Sequence, residues 1–328
     1  MPISSVLGSS ALLPAGLGFR NVLINGGMDV WQRGTGSIAP ANGVITNTDR
    51  WVHTGNTTTF TQQTDVPAGF RYSLGVSGSD PSFAQKIEAA NSARLASQTV
   101  TFSIWAKSIS GSTSLFVNFY YPSAVDNFAS LTTISSTTIA TTVSSSWARY
   151  TLTVNLPANV INGLMVLVGR SSGSSNTYFT GVQLEQNYQP TPFEQRPIGT
   201  ELQLCQRYYE KSYLNEVAVG TNTTFGLAVI TGSTDANGYI YASIPMKVSK
   251  RISAPQSQSS NNSVFKLYTN TGTADQVFYY RNGANGVATT TCGTNNVGQD
   301  NISIYVYTGA AAWVPAYIVF HWVYNAEL

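Results

Sequence analysis

One short string in this chain matches a known pattern for a catalytic nucleophile. Gly169-Arg-Ser-Ser-Gly173 fits the G-x-S-x-G pattern of serine hydrolases. That pattern works where a strand turns sharply into a helix and exposes the serine. Here further Ser, Gly and Asn residues follow, and then another strand-like stretch, while His321 lies far along the chain. The sequence therefore predicts a hairpin loop rather than an acyl-transfer site.

Glycoside cleavage needs only two carboxylates, about 5–10 Å apart. The chain has 15 Asp and Glu residues, and no pair of them stands out. Glu185 and Glu194 flank a proline-rich stretch, and Glu201 falls in the first turn of a predicted helix, where negative charge suits the helix dipole. No short stacked repeat is present. We therefore expect no catalytic residue and treat the protein as a non-enzyme.

Cysteine and histidine are equally sparse. Two of each without close spacing do not match a zinc pattern. Cys205 and Cys292 are too few for a disulfide framework, although one disulfide between them stays open. We expect no metal and no cofactor.

Aromatic residues offer a binding chemistry, because sugar rings have apolar faces that stack on aromatic rings and hydroxyls that bond to polar neighbours. The chain has 18 Tyr, 14 Phe and 6 Trp. Within each Tyr-Tyr pair of a strand, the two rings point to opposite faces, so one is expected at the surface. The remaining tryptophans are interpreted as core or subunit contacts: Trp31, Trp147, Trp313 and Trp322. The candidate binding residues are Trp51, Trp105, Tyr120, Tyr121, Tyr279, Tyr280, Arg281 and Asn282, the last four being favoured as an aromatic, basic and turn cluster.

The composition indicates that β-strands position these residues. Only 10% of residues are charged, against about 25% in ordinary domains, while Gly, Ser, Thr, Asn and aromatic residues are abundant, which favours strands and turns. The net charge is +2 and the basic residues are scattered, so we expect no nucleic-acid partner. No apolar stretch approaches the about 20 residues that span a bilayer, so we expect no membrane insertion.

The length of 328 residues favours two domains at about 150 residues each. Asn21–Gly34 is predicted to form two short strands around a Gly-Gly turn, and Leu131–Ser146 an exposed loop or a mobile edge strand. Further strands of the first half are predicted near 58–63, 71–76, 83–88, 99–107, 114–121, 148–155, 163–169 and 177–186. Strands of the second half are predicted near 224–231, 238–246, 264–268, 276–281, 286–291, 302–307 and 317–324.

A connector and one helix join the two halves. Pro190, Pro192 and Pro197 favour an extended connector, and Thr200 with Gln203 matches a capping box. Such a helix is too short to be stable alone, so it needs the flanking domains or copies of itself around a symmetry axis. The residues predicted on one helix face, and so at a trimer axis, are Ile198, Leu202, Cys205 and Tyr209. The fold class is thus all-β, with two β-sandwich or jelly-roll domains (21–188 and 214–328) joined by a proline-bounded connector and one short helix (189–213).

Several sequence blocks occur in an order that resembles bacteriophage and prophage tail-fibre or receptor-binding proteins. They are NVLINGGMDVWQRG, VTFSIWAK, WARYTLTV, GVQLEQNYQPTPFEQRPIGTELQLCQRYYEK and, more weakly, the closing FHWVYNAEL. The resemblance covers about residues 21–211, and its first half is similar to a carbohydrate-binding-module type of jelly roll. Such modules often hold a structural calcium with an acidic residue. Asp29 could stand in for that acidic residue, but one carboxylate is far short of the about six to eight oxygens that calcium takes.

The resemblance implies a homotrimeric virion fibre or adhesin that attaches the particle to host surface glycan or protein. Residues 1–20 would be a docking peptide for other virion proteins, and the protein would be assembled in the host cytoplasm. Two alternatives stay open: a purely structural virion protein without a receptor, and a glycan-degrading tail spike.

Overall fold

The computed structural model describes residues 19–55, 58–78, 81–110, 113–170, 176–252, 264–281, 286–310 and 312–327. Most of the predicted docking peptide, the serine-containing loop at 171–173 and Asn282 therefore lie outside the described residues. The described strands pair antiparallel throughout, and they enclose two main hydrophobic cores. The prediction of an all-β sandwich fold is confirmed, whereas the proposed domain boundaries stay predictions.

Within the described ranges, ten strands form the first sandwich. They assemble into two five-stranded sheets that face each other across a core rich in phenylalanine. A short helix, α1 (Ala89–Ser92), and two 3-10 turns (Ala93–Leu95 and Ala158–Asn162) connect strands. The strands are β1 (Val52–His53), β2 (Thr58–Gln63), β3 (Ser73–Gly78), β4 (Ser82–Ile87), β5 (Thr99–Ser108), β6 (Leu115–Ala124), β7 (Asn127–Ala140), β8 (Ala148–Asn155), β9 (Leu164–Arg170) and β10 (Thr177–Glu185). Their orders are β1-β4-β9-β6-β7 and β2-β3-β10-β5-β8.

Strand β5 shows how the sequence pattern builds this sandwich. Its apolar residues at 100, 102, 104 and 106 are fully buried between the sheets. Trp105 and Lys107 point to the outer face and are half-buried. This is the alternation that the sequence predicts. The Ser/Thr-rich run falls mostly in β7, an ordered strand at the edge of its sheet.

The segment Asn21–Gly34 does not form the two predicted strands. Asn25 and Met28 both have a positive φ, which breaks an extended backbone. Several of its backbone groups bond to side chains: Gln85 accepts a hydrogen bond from the Ile24 amide at 2.7 Å and donates one to the Ile24 carbonyl at 2.7 Å. Because residues 21–28 are buried, this irregular segment serves as a plug on the first sandwich.

The predicted helix is present as α2 (Ile198–Gln206). It begins after Pro197 without a side-chain cap, so the predicted capping box of Thr200 and Gln203 is wrong. Glu201 in the first turn bonds outward instead, to the backbone amide of Asn25 and the guanidinium of Arg196. Neither helix in the described part of the chain has the length and apolar character that crossing a bilayer requires.

Part of the helix face predicted for a trimer axis is covered by the chain itself, whereas Ile198 on that face is 56% exposed. Cys205 is fully buried and packs in a cluster with Ile24, Val30 and Tyr208. Tyr209 is not helical, because the helix ends at Gln206 and Tyr209 begins the next strand. Ile24 and Val30 of the plug thus cover Cys205, which the prediction placed against neighbouring subunits. A trimer cannot use Cys205 or Tyr209 of this face while the chain keeps this fold.

The described residues of the second sandwich form nine strands: β11 (Tyr209–Lys211), β12 (Ala228–Ser233), β13 (Tyr239–Pro245), β14 (Phe265–Tyr268), β15 (Val277–Arg281), β16 (Val287–Thr289), β17 (Cys292–Val297), β18 (Asn301–Tyr307) and β19 (Pro315–Asn325). The long strand β19 pairs with β11, β12, β14 and β15, and β15 pairs with β16. The second sheet has the order β13-β18-β17. Cys292 lies in this sandwich and Cys205 in α2, and the two do not form a disulfide.

Buried charges link the two sandwiches. Glu327, near the C-terminal end, forms ion pairs with Arg33 (3.3 Å) and Arg50, and Arg33 also pairs with Asp49 at 2.7 Å. The Arg33 and Arg50 guanidiniums lie over the rings of two consecutive tyrosines, at 3.6 Å from the Tyr209 centroid and 3.4 Å from the Tyr208 centroid. The C-terminal strand is thereby tied to the plug of the first sandwich.

We expect Glu327→Gln to destabilise this junction by about 3 kcal/mol, because it leaves the guanidinium of Arg50, which is only 3% exposed, without its counter-charge. Urea unfolding of the full chain measures the change. Glu216→Gln, at an exposed carboxylate, is the matched control and should unfold like the wild type. Equal midpoints for the two variants would contradict a structural role of the junction.

Candidate functional site

The connector after β10 crosses the outer face of the β2-β3-β10-β5-β8 sheet. Thr101 of β5 donates to the Asn187 carbonyl at 2.7 Å, and Arg149 of β8 donates to the Thr191 carbonyl. These bonds hold the connector over one half of the sheet surface. The other half stays open to solvent.

The open half brings together residues that are far apart in the sequence. Tyr178 of β10 lies beside Lys107 of β5 on one side and Gly75 of β3 on the other, and Gly75 pairs with Thr61 of β2. Trp105 lies two residues from Lys107 on the same face, so the register places its ring close to this row. Tyr178 and Trp105 are each half-buried, which leaves part of each ring accessible.

Asp65 organises the edge of this surface. Its carboxylate accepts hydrogen bonds from the Lys107 ammonium at 2.6 Å and from the Trp147 indole nitrogen at 2.9 Å. These two bonds, with that from Lys107 the stronger, lower the pKa of the Asp65 carboxyl. Because the indole is anchored through its nitrogen, the Trp147 ring is held in place while one part stays accessible. We call Asp65, Trp105, Lys107, Trp147 and Tyr178 the aromatic face.

A glycine beneath the rings permits this arrangement. Gly181 has φ +60° at an irregularity of β10, a conformation that favours glycine. A Cβ at this position would lie 2.6 Å from the Phe70 ring and 2.8 Å from the Trp105 ring. Phe70 in turn packs on Phe193 of the connector, with ring centroids 5.0 Å apart. The missing side chain thus lets Trp105 lie close to the backbone and links it to the connector.

The aromatic face offers three partly exposed rings for stacking. Its carboxylate and ammonium groups, together with the nearby Gln63 and Thr61, can form hydrogen bonds. Gln63 donates to Thr61 at 2.8 Å and lies in the space that a side chain at Gly75 would fill. Rings combined with mixed polar groups can bind a ligand that has both apolar faces and hydroxyl edges.

Trp105 is the one sequence-predicted candidate in the aromatic face. Trp51 is instead fully buried, packs edge-on against Phe83 and donates its indole hydrogen to the Asn25 carbonyl, so its assignment to a binding surface is corrected. Tyr120 and Tyr121 lie in β6, in the other sheet of this sandwich, and both are half-buried.

The favoured cluster in β15 is divided by the strand alternation. Tyr279 belongs to the second core and is 9% exposed, so its assignment as a binding residue is corrected. Tyr280 points outward and stacks on Tyr317, with centroids 4.5 Å apart and an angle of 6° between the rings. Arg281 is half-buried near the Tyr279 ring.

Sequence reasoning missed Asp65, Trp147 and Tyr178 as site residues. Trp147 was assigned to the core or a subunit contact, although it follows a polar serine run. The alternation in Thr177–Thr180 contains the signal for Tyr178, because Phe179 faces the core. Nothing in the sequence pairs Asp65 with residues 42 and 82 positions away.

The described residues show neither a free pair of catalytic carboxylates nor a cluster of metal ligands. Burial, together with the neighbouring Glu201 carboxylate, raises the pKa of Asp29 to about 6. Glu201, however, is buried and engaged by Asn25 and Arg196. The described ranges contain no group of three or more His, Cys, Asp and Glu side chains placed to hold a metal ion.

No protein-family model and no curated protein match the sequence. Among solved structures, the chain is similar to the enzymatically active domain of tailspike protein 4 of bacteriophage CBA120, with 17% identity and a TM-score of 0.36 over 51% of this chain and 22% of that chain. It is similar to the C-terminal family 22 carbohydrate-binding module of Clostridium thermocellum Xyn10B, with 16% identity and a TM-score of 0.33 over 43% of this chain and 89% of that chain. It is also similar to the CBM22-1 xylan-binding domain of Paenibacillus barcinonensis Xyn10C, with 11% identity and a TM-score of 0.33 over 44% and 88%. Likenesses at these identities and TM-scores do not say what this chain binds.

We expect Gly181→Ala to destabilise the first sandwich by about 1–3 kcal/mol, because alanine is strained at this φ and its Cβ displaces the Phe70 and Trp105 rings. Thermal unfolding measures the change. Gly199→Ala is the control: it adds a Cβ in helix α2 with nothing within 4 Å, so it should raise stability slightly. Equal stability of Gly181→Ala and the wild type would show that the rings do not depend on this glycine.

Proposed function

We propose that this protein binds glycan through the aromatic face and serves as a fibre or adhesin that attaches a phage particle to the host cell surface. The observation that carries the binding part is that three partly exposed rings lie on one sheet surface, where Asp65 holds the Trp147 indole and Gly181 leaves room for the Trp105 ring. The virion part is supported by the sequence resemblance of residues 21–211 to phage tail-fibre and receptor-binding proteins. In this proposal the protein is a virion component, and residues 1–20 dock to other virion proteins.

A sugar chain fits the aromatic face better than a charged polymer does. Trp105, Trp147 and Tyr178 present ring surfaces for the apolar faces of sugars. The charged groups Asp65 and Lys107 already neutralise each other at 2.6 Å, so they offer hydrogen bonds rather than net charge. A ligand that depends on strong ionic attraction is therefore not favoured.

The proposal includes a homotrimer, whose interface differs from the predicted helix face. Support for self-association comes from the outer face of the sheet formed by β12, β19, β15 and β16. One row across this face is apolar from end to end: Val229, Val319, Phe278 and Ala288. Val229 is 59% exposed and Tyr317, in the next row, is 40% exposed. Exposed apolar patches of this kind mark interaction surfaces.

Binding to isolated host envelope glycan tests the function. We expect Trp105→Ala to weaken binding about tenfold or more, because it removes one stacking surface, which corresponds to about 1.4 kcal/mol. Phe225→Ala, which removes a ring that is 71% exposed in the second half of the chain, is the matched control and should bind like the wild type. Circular dichroism and thermal unfolding must show that both variants are folded.

Two results would favour the alternatives. If neither the wild type nor the variants bind envelope glycan or cells, the protein is a structural virion component. If reducing ends are released from the glycan, the protein is a degrading spike.

Sedimentation velocity at micromolar concentration tests the assembly. We expect a trimer for the wild type and a monomer for Val229→Lys, because an exposed lysine ammonium would have to be desolvated in the interface. Ile161→Lys is the control, since it places the same charge at another exposed apolar residue, 53% accessible, in the first sandwich. A stable wild-type monomer would contradict the proposed trimer.

A further inference from the structure

Four tyrosines share the outer surface of the second sandwich. Tyr239 and Tyr241 of β13 pair across the sheet with Tyr307 and Tyr305 of β18. The Tyr239 ring centroid lies 5.1 Å from that of Tyr307, 6.0 Å from Tyr305 and 6.2 Å from Tyr241. The residues between them, at 240, 304 and 306, belong to the buried core. We call these four residues the tyrosine face.

Folding of the sandwich does not require aromatic rings at these positions. Tyr241 is 55% exposed and Tyr307 is 38% exposed, so much of their ring surface contacts water. The same sheet face carries small polar residues farther along, where Ser243 pairs with Ser303. Tyrosine is suited to recognition, because it presents a large rigid ring at a low cost in conformational entropy.

A tryptophan is displayed at the same end of the sheet. Trp313 is 74% exposed and has φ +63°, a conformation that is uncommon for a bulky residue. Its backbone amide donates to the Thr234 carbonyl at 3.0 Å, which ties its loop to the turn that precedes Tyr239. The Asp235 carboxylate in that turn accepts a hydrogen bond from the Tyr239 amide at 2.8 Å. Strained backbone that exposes an aromatic side chain is typical of binding sites.

The lack of basic residues in the strands of the tyrosine face indicates which class of ligand it can bind. The three strands β13, β17 and β18 contain no lysine and no arginine. Because these three strands supply no cation, the tyrosine face does not favour phosphate, sulfate or uronic-acid polymers. Its polar groups are phenol and serine hydroxyls, with Asp235 at one end. These groups suit a neutral, hydroxyl-rich ligand whose rings stack on tyrosine.

We propose that the tyrosine face is a second glycan-binding site, which takes neutral hexose chains. The other three ring centroids lie 5.1–6.2 Å from that of Tyr239, so the rings form one cluster on which adjacent sugars of a chain can stack. The site lies in a different sandwich from the aromatic face and shares no residue with it, so it does not rest on the function proposed above. When both sites bind glycan of the same host surface, the attachment has a higher avidity than either site gives alone.

Isothermal titration of the full chain with maltohexaose, cellohexaose and mannohexaose tests this site. We expect at least one of these chains to bind, and Tyr241→Ala and Tyr307→Ala to weaken its binding about tenfold or more. Tyr188→Ala is the matched control, because it removes a tyrosine that is 77% exposed in the connector. The losses caused by Tyr241→Ala and Tyr307→Ala should persist when Trp105 is also replaced by alanine, which separates the second site from the first. Unchanged thermal unfolding of Tyr241→Ala shows that the loss is not a loss of fold.

Three results would overturn the proposal. The first is an absence of binding by all three neutral hexaoses. The second is binding that Tyr241→Ala and Tyr307→Ala leave unchanged, or stronger binding of hyaluronan oligosaccharides than of the neutral chains. The third is self-association of the wild type that Tyr241→Ala abolishes in sedimentation, since the face would then bind a second copy of this chain.

Discussion

The buried carboxylate of Glu327 is the interaction on which the arrangement of the two sandwiches depends. Two guanidiniums, Arg33 and Arg50, come from the first half of the chain, and their counter-charge comes from its last few residues. Buried charges are tolerated only when they are paired, because desolvation penalises each one alone. The chain must therefore bring its C-terminal strand back onto the plug, and the tyrosines after helix α2 lie under both guanidiniums.

The plug also gives the short helix a packing partner within its own chain. Helix α2 is too short to be stable alone, and the plug supplies the apolar surface that it requires through Ile24 and Val30. The helix is a junction element within one chain. The surfaces left for partners are then the outer faces of the sheets, where the aromatic face, the tyrosine face and the apolar row at Val229 lie.

Sequence patterns predicted most strands because alternation is a local property. β5 and β8 follow the predicted ranges closely, and the opposite orientations of Tyr279 and Tyr280 follow from the same rule. The polar strand β17 was missed because its sequence, CGTNNV, has no apolar alternation. The prediction of two strands in Asn21–Gly34 was wrong, because this segment packs on the sandwich through positive-φ turns and side-chain hydrogen bonds. No local period in the sequence encodes these features.

By itself the sequence determined the all-β class, the extended connector, the single longer helix and the outward orientation of Trp105, because composition, proline and period-two alternation act locally. Only the tertiary structure decided which rings share a surface. Trp105, Trp147 and Tyr178 share one sheet face because the register aligns β5, β8 and β10, and Asp65, far away in sequence, holds the Trp147 indole. The partner of helix α2 was decided in the same way, since the helix pattern shows an apolar face but not which surface buries it.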